Sequence, residues 1–209
     1  MKEIQYSKPE AIEKRSFEII RREMRTNPPP EQLPVMMRVI HTTADFEYEQ
    51  SLRFSAGAMT AAREAIRQGA VFITDTNMAL SGINKKALQQ TGCSAVCYMA
   101  EEEVALEAAR RGVTRAVVSM EKAAAVQDRP LIFAIGNAPT ALLRLADLIS
   151  EGNVSPALVI GVPVGFVNVI ESKEQIMKTA GEYIVAEGRK GGSTVAAAIC
   201  NALLYMQTR

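Results

Sequence analysis

The stretch LIFAIGNAPTALLRLADLISEGNVSPALVIGV, residues 131–162, reads as strand, turn, helix, turn, strand. LIFAIG (131–136) and ALVIGV (157–162) are short continuous apolar runs, as expected of strands buried on both faces. PTALLRLADLISEG between them has apolar residues at helical period and opens on Pro139, which suits a first helical turn. A strand–helix–strand unit of this kind calls for two parallel strands with a helix over them.

The same alternation extends in both directions. AVFIT (70–74), SAVCYM (94–99), RAVVSM (115–120) and, more weakly, EYIVA (182–186) read as further strands. EEEVALEAARRG, SKEQIMKTAG and STVAAAICNALLYM read as helices. The N-terminal quarter is different. AIEKRSFEIIRREM (11–24) has helical period, TNPPP (26–30) is a turn, and a second helix fits EQLPVMMRVIHTTA. A third fits SAGAMTAAREAIRQGA, with Gly69 as its C-cap. The expected fold is α/β: a mostly parallel central sheet covered by helices, in a single domain spanning 1–209 with an N-terminal helical segment.

Composition excludes several function classes. The formal net charge of +1 gives no electrostatic case for nucleic acid or a membrane surface, so a polyanionic ligand would have to meet local clusters of Arg and Lys. One histidine and the scattered Cys93, Cys97 and Cys200 argue against a zinc site and against a disulfide framework. The charged N-terminus lacks the apolar region of a signal peptide. The longest apolar run, 157–170, is broken by Gly161, Pro163 and Gly165 and falls short of the ~18–20 residues that span a bilayer. A cytoplasmic protein is expected.

In parallel sheets ligands bind outside the carboxyl ends of the strands. The segments leaving those ends are DTNMALSGIN (75–84), GNAPT (136–140), GVPVGFVN (161–168) and EGRKGGS (187–193), all rich in small or turn-forming residues. GNAPT, with Asn137 and Thr140, is either a well-made strand–helix turn or a cradle for a carboxylate or phosphate. EGRKGGS sets Arg189 and Lys190 beside two glycines and a helix starting near Ser193, so it is either an anion trap or a solvated basic turn. Neither has the spacing of a P-loop or a dinucleotide fingerprint. Ser16, a small polar residue on the apolar stripe of the first helix, is either bonded back to its own helix or a donor facing a ligand.

RVIHTTADF (38–46) holds His41. A helix running through it would put Arg38 and Asp45 on the same face as His41 and off the apolar stripe. An imidazole, with a free pKa of ~6.5, would then stand between a cation and a carboxylate. A histidine that merely interacts with a helix C-terminus has the same spacing.

RVIHTTADF, TDTNMALSGIN, AIGNAPTALL, GVPVGFVNVIESKE and GRKGGSTVAAAICNALLY, in this order, resemble the precorrin-8X methylmutase family. The resemblance runs from the AIEKRSFEII helix to the C-terminus. It implies an isomerase that moves a methyl group from C11 to C12 of a corrin precursor, giving hydrogenobyrinate, or cobyrinate when cobalt is already in the ring. It further implies a parallel α/β sandwich acting as a homodimer, with the site near the subunit interface and no cofactor. By the same resemblance His41 is the catalytic residue, and Ser16 and Arg38 contact the substrate. TTADF is similar to members of the anaerobic, early-cobalt branch.

This chemistry suits the residues. A 1,5-methyl shift needs the conjugated ring protonated and then deprotonated, which one acid–base group can do. The substrate's rim of acetates and propionates would be held by backbone N–H groups and by Arg38, Arg189 and Lys190, with Asn137, Thr140 and Ser193 as further candidates. A non-catalytic corrin carrier would use the same pocket. A nucleotide-dependent α/β enzyme is disfavoured by the missing phosphate-binding motifs.

Overall fold

The computed structural model describes residues 9–126 and 128–208. Its strands form one sheet, in the order β1-β6-β5-β4-β2-β3: β1 (Leu52–Phe54), β2 (Val71–Thr74), β3 (Ser94–Val96), β4 (Leu131–Ile135), β5 (Leu158–Gly161) and β6 (Tyr183–Ala186). β2 to β6 are mutually parallel, and β1 alone runs antiparallel, against β6. In chain order the helices are α1 (Pro9–Glu23), α2 (Leu33–Thr43), α3 (Tyr48–Ser51), α4 (Ala58–Arg67), α5 (Asn77–Gly82) and α6 (Lys85–Thr91). There follow α7 (Glu102–Arg111), α8 (Arg115–Ala124), α9 (Pro139–Ser150), α10 (Val169–Thr179) and α11 (Ser193–Thr208).

The alternation of side chains along each strand divides the core in two. Phe72, Ile132, Leu158 and Ile184 face a layer made of α1, α2, α4, α5, α6 and α11. Ile73, Phe133, Val159 and Val185 face α8, α9 and α10. Both faces are buried, which is why these strands are apolar but for Thr74 at the end of β2. α11 is the centre of the first layer, with α2, α4, α5 and α6 packed against it. It is apolar over most of its surface, as a largely buried helix must be, with Thr194, Asn201 and Tyr205 on the face left open.

The structure departs from the sequence reading in three places. RAVVSM is not a strand but the start of α8. Thr114 caps it by accepting from the Val117 N–H, and Ala116, Ser119, Met120, Ala123 and Ala124 are buried at helical spacing. The adjacent valines mimic a strand, but the helical period extends past them. LRF (52–54), too short to carry a pattern, is a strand because β6 offers it an edge. The 75–84 segment is not an open loop: Thr76 accepts from the Ala79 N–H and caps α5 within it.

The connection from β2 to β3 crosses the α11 face, and the one from β3 to β4 crosses the other face. β2 and β4 are neighbours, so the direction of winding reverses between them. That is the topological switch point of a doubly wound sheet. No helix among the described residues is long and apolar enough to cross a membrane.

The segments after β5 and β6 are knitted together. Gly192 N–H donates to Val162 O at 2.8 Å and Gly165 N–H to Arg189 O at 3.2 Å. A Cβ on Gly191 would lie 2.1 Å from Val162 O, so one backbone would have to move. Gly191→Ala is therefore expected to lower the unfolding free energy by about 1–3 kcal/mol in urea titrations, the usual cost of overpacking.

Candidate active site

Three helices of the α11 layer form a depression. α2 supplies Arg38, His41 and Thr42; α5 supplies Met78 and Gly82; α11 supplies Thr194, Ala197, Ala198, Asn201 and Tyr205. Small residues let the helices close up here. A Cβ on Gly82 would come within 2.8 Å of the Ala197 Cβ. Asn201 ties the walls together: its side-chain NH2 donates to Gly82 O at 2.8 Å, and its Oδ1 accepts from the Asn84 N–H at 2.8 Å. Asn84 in turn donates to the Tyr205 hydroxyl at 3.0 Å.

His41 lies in the last turn of α2 and is exposed, with its ring 5.2 Å from that of Phe17. It is not a core histidine, as its place off the apolar stripe led one to expect. Arg38, one turn back, is held on three sides. Its Nη1 donates to Glu13 at 2.6 Å, and its guanidinium lies 4.7 Å from the Phe17 ring centroid and 5.2 Å from that of Tyr205. Two aromatic faces and a carboxylate fix a planar cation at the rim of the depression.

Asp45 does not stay with His41. α2 ends at Thr43, and Ala44 takes a left-handed conformation (φ 54°) with its N–H bonded to Ile40 O. The chain therefore turns away before Asp45. The Asp45 carboxylate accepts from the Glu47 N–H at 2.9 Å and pairs with Lys190 at 2.5 Å, which holds it below the usual carboxylate range.

Lys190 pairs with Glu47 as well, at 2.7 Å, so both acidic neighbours neutralise the cation expected to trap an anion. Arg189 differs: it lies 5.4 Å from the Phe166 ring, and no carboxylate of the described residues forms a salt bridge with it. The 187–193 segment turns carbonyls inward. The buried Lys173 donates to Gly188 O at 2.8 Å and Lys190 O at 2.9 Å.

The remaining candidates are scattered. Ser16 donates back to Ile12 O at 2.9 Å, the plainer of its two readings. Ser193 shares a 2.8 Å hydrogen bond with Thr76. Thr140, on α9 in the other layer, pairs with Thr114 at 3.1 Å. Asn137 is exposed, but the backbone cradle around it is already filled: the Gly136, Asn137 and Ala138 N–H groups all donate to the Asp75 carboxylate. The structure thus brings together Arg38 and His41, with α1 against them, and leaves Asn137 and Thr140 apart.

Asn201, Tyr205 and Glu13 were not singled out from the sequence. Thr194, Ala197, Asn201 and Tyr205 recur at three- and four-residue spacing, so one face of α11 carrying polar and small residues was there to be read. Nothing in the spacing showed that α2 would lie against it.

Residues 11–206 match the sequence profile described as precorrin-8X methylmutase. A cobalt-precorrin-8 methylmutase of Priestia megaterium is 46% identical, over 93% of this chain and 87% of its own. One of Salmonella typhimurium is 44% identical, over 94% and 95%. The crystal structure of a precorrin-8X methylmutase from Thermus thermophilus superposes with a TM-score of 0.87 at 42% identity, covering 94% of this chain and 95% of that one.

Burial pushes the Lys173 amine down from 10.5 to about 8. Between those values the unfolded chain binds more protons than the folded one, so Lys173 adds stability as pH rises. Its burial penalty is in full force below pH 8 and relieved near 10.5. The stability difference between wild type and Lys173→Met should therefore shift in favour of wild type from pH 7.5 to 10, by up to about 3 kcal/mol. Urea unfolding at both pH values measures it; an unchanged difference would refute the assignment.

Proposed function

This chain belongs to the precorrin-8X methylmutase family, and from that premise we propose that His41 carries the proton in its reaction. The protein is an isomerase of cobalamin biosynthesis, a methylmutase acting on a tetrapyrrole precursor. The observation that supports His41 is its position: an exposed imidazole at the edge of a depression whose other walls are largely alanine, glycine and uncharged polar groups. Ring protonation withdraws electrons from the carbon bearing the methyl group. The methyl then migrates from C11 to C12, and the same imidazole takes the proton back. General acid–base catalysis of this kind contributes ~10²–10⁴-fold in rate.

Arg38 is the carboxylate clamp in this reading. Its guanidinium is preorganised by Phe17 and Tyr205, and a substrate carboxylate would exchange with or add to Glu13. Arg189 is the better second cation, because Lys190 is committed to Asp45 and Glu47. Ser16 would have to swing off Ile12 O to reach a ligand. Ser193 takes an indirect part, through Thr76.

We further propose that the chain works in the cytoplasm as one domain over 1–209, as a homodimer with the site near the interface. The single-chain depression is about 280 Å³, below the ~300–1,000 Å³ usual for small-molecule sites, so a second copy would enlarge it. Met78 at its rim, 66% exposed, and Phe166 and Val167, at 83% and 76%, are apolar surface that a partner could cover. The substrate is proposed to carry cobalt, in line with the names of the Priestia and Salmonella relatives.

Purified enzyme should turn over cobalt-precorrin-8 many times, and faster than the metal-free compound, as followed by visible spectroscopy. His41→Ala should lose at least 100-fold in kcat while still binding the tetrapyrrole. Undiminished turnover would remove His41 from the mechanism. Arg38→Ala should act mainly on KM. Light scattering should give twice the 22.7 kDa chain mass; the mass of one chain would remove the dimer.

A further inference from the structure

Asp75 occupies the place where a doubly wound sheet ordinarily takes a ligand. It directly follows β2, beside β4 across the switch point, and is fully buried. Its Oδ1 accepts from the Gly136 N–H at 2.9 Å, and its Oδ2 from the Asn137 and Ala138 N–H groups at 2.8 and 2.6 Å. Three successive backbone donors at a helix start form a concave nest of the sort that holds phosphates and carboxylates. Burial pushes the Asp75 carboxyl above the usual carboxylate range, and the three donors pull it back.

The consequences reach His41. Gly136 is pressed against the start of α11: a Cβ there would lie 2.7 Å from Ser193 Cα and 2.9 Å from Gly192 O. The next residue after Asp75, Thr76, pairs with Ser193 at 2.8 Å and caps α5 through the Ala79 N–H at 3.0 Å. α11 and α5 carry the two walls of the depression that face α2 and its His41. One carboxylate therefore fixes the turn that seats α11 and the strand end that seats α5.

We infer that Asp75 is a positioning residue for the methyl shift: the resident anion of the switch-point nest, which sets α5 and α11 around His41. This inference rests on the reading of His41 as the proton-transfer group.

The test uses full-length Asp75→Ala and Asp75→Asn, with kinetics measured where circular dichroism shows each to be fully folded. Asp75→Ala should melt several degrees lower and lose on the order of 10–100-fold in kcat, since a displacement of about 1 Å at a reacting centre costs about 100-fold. Sodium formate, against sodium chloride at equal ionic strength, should restore both melting temperature and kcat, because formate supplies two oxygens to the emptied nest. Wild type should not respond. Asp75→Asn fills the nest but offers one acceptor oxygen, so it should be impaired and insensitive to formate.

Wild-type kcat in either variant would overturn the inference, as would a lowered melting temperature with normal kinetics, or an Asp75→Ala that formate leaves unchanged. If Asp75→Ala does not fold, the kinetics of Asp75→Asn decide. The melting arm needs no turnover. Undiminished turnover in His41→Ala would therefore sink the reading of His41, whereas failed rescue by formate would sink only the role of Asp75.

Discussion

The packing of α11 is the constraint on which the His41 side of the molecule depends. The helix buries Val195, Ala196, Ile199, Cys200, Leu203 and Leu204, and α2, α4, α5 and α6 all find their places against it. Because many of its side chains are alanines, neighbours approach closely, and the Gly82–Ala197 contact leaves no room for another methyl group. Its polar residues, Thr194, Asn201 and Tyr205, gather where α2 and α5 leave a gap. The depression thus belongs to no single loop. It is the space left where α2 and α5 pack against the small and polar face of α11.

Most of the fold was legible because it follows from burial. A strand covered on both faces must be mostly apolar, and β2, β4, β5 and β6 declare themselves that way. The failures came where local pattern and tertiary context diverge. RAVVSM has a strand's composition over six residues but a helix's period over ten, and the longer signal wins. LRF becomes a strand only because β6 is next to it, and no window of sequence contains that neighbour.

The site was legible in part. Arg38 and His41 stand one helical turn apart, so a single helix brings them together. Asp45 was misplaced because the helix stops at Thr43, and the turn at Ala44 carries no glycine to announce it. Lys190 looked like an anion trap because its acidic partners, Asp45 and Glu47, are far away in sequence. The GNAPT cradle is real, but its occupant, Asp75, comes from a different strand end. Long-range pairing decides such cases, and spacing along the chain does not encode it.

The sheet's two margins have a consequence of their own. β1 and β3, which bound it, are three residues each. β1 runs opposite to the rest, and its Arg53 is clamped to Glu187 at 2.7 Å. Borders so short, one of them carrying an ion pair, are poor templates for a further strand. Fusing the sheets of two copies into one continuous ribbon is therefore disfavoured. A union made instead by helix faces and protruding side chains would leave every backbone hydrogen bond of the sheet intact on separation.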